Sequence, residues 1–134
     1  TEYLSSALID MKLHLAGGAD IDPDAFEREQ LAKLGMPHEV VMRHRTPQFG
    51  HVFASDGYSA GYYSYLWSET LALDVVDAFK SSPGGMYDKA MAKKLHDNVM
   101  SVGNSIDPAI AYHTLMGRDV DVKAYLRDKG FPTA

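Results

Sequence analysis

Tyr58, Tyr62, Tyr63 and Tyr65 crowd one short stretch of FGHVFASDGYSAGYYSYLWSETLALDVVDAF, residues 49–79. On a helix, Tyr58, Tyr62 and Tyr65 fall on one side at spacings of four and three, and Tyr63 falls on another. A phenol donates a hydrogen bond without titrating near neutral pH, and a buried one needs a partner. Hydroxyls sharing one wall therefore suit a polar cleft. Gly57 and Gly61, with Ser59 and Ala60 between them, would let another backbone come close. Aromatic residues at helical spacing also serve packing, and spacing alone leaves both uses open. Upstream, HEVVMRH (38–44) looks like the start of a zinc-protease signature, which needs histidines at i and i+4 on a helix. Met42 stands where the second histidine belongs. His44, at i+6, would point ~120° away around the helix. Pro37 and Pro47 flank the segment, so it reads as a loop or single turn with Val40 and Val41 packed inward.

The elements that must carry these residues read as helices. Tyr3, Leu4, Ala7, Leu8, Met11 and Leu15 repeat at helical spacing until Gly17 and Gly18. Asp22 and Pro23 open a second helix that runs to Gly35, and Asp107 and Pro108 open another that Gly117 closes. In each, the aspartate caps free amides and the proline lacks the N–H that would go unpaired. A long helix is expected from about Ala60 to Phe79, with Leu66, Trp67, Leu71, Leu73, Val75, Val76 and Phe79 in the core. One capped by Asp88 runs toward Gly103, and a last one spans Asp121 to Lys129 with Val122, Tyr125 and Leu126 inward. Strand alternation is absent apart from a short extended piece expected around Phe49 to Phe53. The fold class is all-α, a compact multi-helix array, with residues 1–134 as one segment. Asp74 with Asp77, and Glu27 with Gln30, are expected on solvated helix faces. His14, His96 and His113 sit singly, so no metal ligand is assigned to them.

The chain has 134 residues, with 13 Lys plus Arg against 18 Asp plus Glu and no cysteine. That size suits about one domain. The charge balance, without a basic cluster, argues against nucleic acid as a partner. Lack of cysteine favours a reducing, cytoplasmic location. No apolar run reaches the ~20 residues a membrane span needs. The opening TEYLSSALIDM enters a helix at once, as if cut from something longer.

GHVFASDGYSAGYYSYLWSE (50–69) closely resembles a segment of the thimet oligopeptidase, oligopeptidase A and peptidyl-dipeptidase family of zinc metallopeptidases. The similarity extends through LGMPHEVVMRHRTPQFGH (34–51) and GNSIDPAIAYHTLMGRDVDVKAYLRDKGF (103–131), and the whole looks most like the bacterial peptidyl-dipeptidase branch. The resemblance implies an almost wholly helical zincin-type fold, of which this would be the C-terminal part of the catalytic domain. It also implies zinc held by an HExxH helix and a downstream glutamate, which would precede these residues. This sequence has no HExxH, so the chain alone is expected to bind no metal and to be inactive. The resemblance further implies Tyr65 as the oxyanion-stabilising donor, His51 as an assisting imidazole, and Tyr58 and Tyr62 as substrate contacts beside Gly57 and Gly61. The implied partners are an oligopeptide, trimmed by dipeptides from its C-terminus, and the remainder of the peptidase chain. Surfaces that would pack on that remainder lead to an expectation of self-association. The alternative is a helical peptide-binding or interaction module without hydrolysis. Arg118 is a candidate for a substrate carboxylate, with structural ion pairing the expected use.

Overall fold

A computed structural model of the protein describes residues 2–133. Its regular elements are α1 (Glu2–Leu15), α2 (Pro23–Lys33), α3 (Ser64–Ser81), α4 (Lys89–Leu95), α5 (Pro108–Met116) and α6 (Lys123–Asp128), with no strand among the described residues. The fold is all-α, as the periodicity predicts. The chain divides into two compact units, one through Tyr65 and one from Leu66, and the division falls in the first turn of α3.

In the first unit, α1 buries a polar face. Ser5, Ser6, Ala7, Ile9 and Asp10 are buried, whereas Leu4 and Leu15 of the expected apolar stripe are exposed. The inward polar groups are used: Asp10 receives two backbone N–H bonds from a distant loop, described below. Asp22 caps α2 through the Ala25 N–H at 2.9 Å, and Gly35, at φ +67°, ends it in the left-handed region that suits glycine. Glu27 is not solvated as expected, being only 4% exposed. It receives the Arg45 Nε–H at 2.8 Å and the Thr46 N–H, while Arg45 also pairs with Asp24. Burial raises the Glu27 carboxyl, but the Thr46 and Arg45 bonds outweigh it and leave its pKa below the ordinary value. This clasp ties α2 to the start of the next turn and sets the path of residues 36–45. Met42 is buried on that path, whereas Val40 and Val41, expected inside, are exposed, Val41 by 71%.

The extended piece expected at 49–53 is instead a pair of 3₁₀ turns, Thr46–Gln48 and Gly50–Phe53. Phe49, at the junction of the two turns, and Val52 are both buried at a spacing of three, which strand alternation would put on opposite faces.

In the second unit, α3 is longer than any other element, but it starts at Ser64 and not at Ala60. Trp67, expected in the core, is 63% exposed, while Phe79 is buried. Asp74 is likewise not solvated: it is 2% exposed and sits at the centre of an ionic cluster. Arg118 reaches both its oxygens, Nη2 to Oδ1 at 2.6 Å and Nη1 to Oδ2 at 2.7 Å. The Tyr112 hydroxyl and the Asp121 N–H donate to Oδ2 at 2.6 and 2.9 Å. Arg118 is thus committed to a structural pair, which ties α3 to α5 and to the segment before α6.

Asp88 caps α4 through the Met91 N–H at 2.8 Å, and the helix widens into a π turn over His96–Met100, closed by Ser101 N–H to the His96 carbonyl at 2.9 Å. Asp107 caps α5 through Ala109 N–H at 2.8 Å, and Gly117, at φ +71°, closes it. The last helix is shorter than the expected 121–129, and Val122, expected inward, is exposed. No helix among the described residues is long and apolar enough to cross a membrane.

Candidate functional site

The tyrosine segment reaches its site as a loop. Residues 55–63 form successive turns, and Ala60 takes a φ of +56°, a conformation that side chains with a Cβ seldom adopt. The common helix face expected for Tyr58, Tyr62 and Tyr65 is therefore corrected: Tyr58 and Tyr62 precede α3, and Tyr65 lies in its first turn.

What bends the loop is a carboxylate from α1. Asp10, 2% exposed, accepts the Ala60 N–H at 3.1 Å and the Tyr62 N–H at 3.0 Å, on separate oxygens. The His14 Nδ1 lies 2.8 Å from its Oδ1. These two N–H bonds to one side chain offset part of the cost of the Ala60 backbone. From the other side, the Tyr3 hydroxyl donates to the Tyr62 carbonyl, and the two rings lie 4.9 Å apart.

The side chains predicted from sequence come together around His51. Its ring lies edge-on to Tyr58 at 4.8 Å and to Tyr62 at 5.7 Å, and tilted against Tyr65 at 6.0 Å. Tyr62 and Tyr65 are 5.8 Å apart, edge to face. These are favourable aromatic arrangements, and they fix the rings with little freedom. Tyr65 remains 53% exposed and lines the hollow described next. Tyr63 is exposed outside the cluster. Gly57 and Gly61 lie in the loop away from the hollow. A Cβ on Gly61 would stand 3.2 Å from the Tyr58 carbonyl oxygen, so that glycine serves close packing of the turn, while Gly57 has ordinary room.

The cluster borders an open hollow of about 610 Å³ lined by Tyr3, Arg43, His44, Gln48, Phe49, Gly50, His51, Tyr62 and Tyr65. Phe49 is its floor: His44 stacks on it at 4.6 Å and Tyr62 meets it edge-on at 4.8 Å. Phe49, His44, Arg43, Gln48 and Tyr3 are the neighbours that sequence reasoning did not assign. For Tyr3 no local signal exists, because it lies far upstream of the loop it touches.

A family model for peptidase family M3 matches residues 1–131. The chain belongs to peptidase family M3. The family resemblance read from the tyrosine segment is thereby borne out. Among family relatives, dipeptidyl carboxypeptidase of Salmonella typhimurium is 33% identical over 134 residues, covering 97% of this chain and 19% of its own length. Oligopeptidase A of Escherichia coli is 32% identical over 132 residues, with 95% and 18% covered. Oligopeptidase A of Haemophilus influenzae is 38% identical over 82 residues, with 61% and 12% covered. The chain thus spans less than a fifth of the length of these M3 relatives.

The described residues of this M3 chain do not fit a zinc ion. No group of three or more His, Cys, Asp or Glu among them is placed to hold a metal. The ring neighbours of His51 are aromatic, and His38, in the sequence that resembled a metal motif, is exposed against Glu39 at 3.0 Å.

Proposed function

We propose that this chain supplies the substrate-binding wall and an oxyanion donor of an M3 peptidase that removes dipeptides from the C-termini of oligopeptides. The observation that supports this is the convergence of Tyr58, Tyr62 and Tyr65 on His51 beside an open hollow. In peptide hydrolysis, negative charge develops on the carbonyl oxygen, and a neutral donor aimed at it stabilises the transition state more than the ground state. Tyr65 has that role here, its side chain half exposed at the hollow and its ring set against His51 and Tyr62. Tyr58 and Tyr62 contact the peptide, Gly57 and Gly61 shape the loop that approaches it, and His51 assists by holding the rings and offering an N–H. The zinc that the resemblance implies would be held by residues other than the described ones. The contribution of this stretch is binding, orientation and hydrogen-bond donation.

On this reading, the 134 residues are part of one catalytic domain, the C-terminal part, and the remainder of the peptidase is their partner. The location is cytoplasmic; of two plant relatives, one is named probable cytosolic oligopeptidase A and another organellar, so cell fractionation is the test. Tyr65→Phe in the complete enzyme should lower kcat on the order of 100-fold with KM little changed. Unchanged kcat would remove Tyr65 from the chemistry and leave the wall as a binding surface only, the second reading of the sequence.

A further inference from the structure

We propose that Arg43 binds a carboxylate of the peptide held against the tyrosine wall. The inference rests on the peptide-binding reading above and adds the charge that the wall itself lacks. The chain has five arginines, and three are spent on ion pairs: Arg45 with Glu27 and Asp24, Arg118 with Asp74, and Arg127 with Asp77. Arg28 faces a separate hollow beside Asp24 and Glu27. Arg43 is exposed, makes no ion pair among the described residues, and lines the hollow that holds His51, Tyr62 and Tyr65. Among the described residues, no aspartate or glutamate lines that hollow. In a chain with 18 acidic residues against 13 basic ones, an acid-free hollow carrying a guanidinium inverts the local charge and draws an anionic group in.

The form of the site fits one carboxylate. A guanidinium presents paired N–H donors in a plane that matches the two carboxylate oxygens, and a single such group, with no second lysine or arginine among the described lining residues, suits a single charge. His44, stacked on Phe49, and the Gln48 amide add N–H donors at the same rim. The remaining lining is aromatic and suits the side chains of the residues that carry the carboxylate. Such an anchor would fix the register of a peptide against the wall, because the distance from the charged end to the tyrosines is set by the protein. Both a C-terminal carboxylate and an Asp or Glu side chain offer the required chemistry.

The test is a titration of the protein with acetylated tetra-alanine as the free acid, the same peptide as its C-terminal amide, and an amidated peptide ending in glutamate. Binding is read from the ring proton signals of His51, Tyr62 and Tyr65. The free acid should bind about tenfold more tightly than the amide. Equal recovery by the glutamate amide would name either carboxylate as sufficient, and no recovery would restrict the site to the C-terminus; both support the proposal. Arg43→Gln should erase the preference for the acid, and Arg43→Lys should restore only part of it. Acid and amide binding equally to the unchanged protein, or a preference that survives Arg43→Gln, would overturn the proposal while leaving the peptide-binding wall intact. No ring shift with any peptide would overturn both. The comparison of peptides on the unchanged protein needs no variant to fold.

Discussion

Asp10 shows how one residue positions the site without taking part in it. Its two oxygens hold the Ala60 and Tyr62 N–H groups, so the turn that aims Tyr62 at His51 depends on a carboxylate fifty positions upstream. Replacing it by alanine would strand two half-buried donors, at a cost of about 1–3 kcal/mol. Asp10→Ala should therefore lower the denaturation midpoint and speed hydrogen exchange at the amides of Ala60 and Tyr62. An exchange rate unchanged at those two amides would show that the turn is held by other means. Nothing in EYLSSALIDM marks Asp10 for this task, since its partners are remote in sequence. The tyrosines themselves were legible, because their density and the glycines among them are local properties. Their common face was not: it comes from a turn with Ala60 at positive φ, and not from helical spacing.

At the scale of elements, the helices follow their own signals wherever those signals are local. Asp22, Asp88 and Asp107 cap the helices they precede, and Gly35 and Gly117 end them. The tie between α3 and α5 is different, because it turns on a buried charge. Burial by itself would raise the Asp74 carboxyl. The bonds from Arg118, the Asp121 N–H and Tyr112 prevail and bring its pKa to about 2, against an ordinary value of 3.8. The folded value lies below the unfolded one, so this stabilisation is fully present above about pH 4 and is lost as pH falls toward 2. It amounts to about 2 kcal/mol. The urea midpoint of the protein should fall across that window, and Asp74→Asn should flatten that part of the profile while lowering stability at neutral pH. An identical acid profile in the variant would assign the acid sensitivity elsewhere. Beside the carboxylate, burial and the Asp74 bond push the Tyr112 hydroxyl well above its usual range, so it stays a donor throughout.

At the scale of the whole molecule, exposed apolar side chains are numerous: Trp67, Met86, Tyr87, Met100, Ile110 and Phe131 all stand open. The second unit also carries a hollow of about 530 Å³ whose lining, Leu71, Val75, Phe79, Met86, Leu95 and Ile106 among it, is largely apolar. Such surface favours self-association. The sedimentation coefficient of this chain should rise with concentration, and a single monomeric boundary at high concentration would count against it. The sequence by itself determined the helical class, the caps and stops, the M3 family and the tyrosine cluster. Each of these depends on residues close together in the chain or on a long matching pattern. Only the tertiary structure decided which charges are buried. Glu27 and Asp74 read as solvated helix residues because helical spacing locates a face but not what packs on it, and their partners Arg45 and Arg118 lie 18 and 44 positions away. The same kind of separation hid Tyr3 and Asp10 behind the wall. Which side chains meet is settled by the path of the loops, and that path is fixed by buried polar bonds between remote residues.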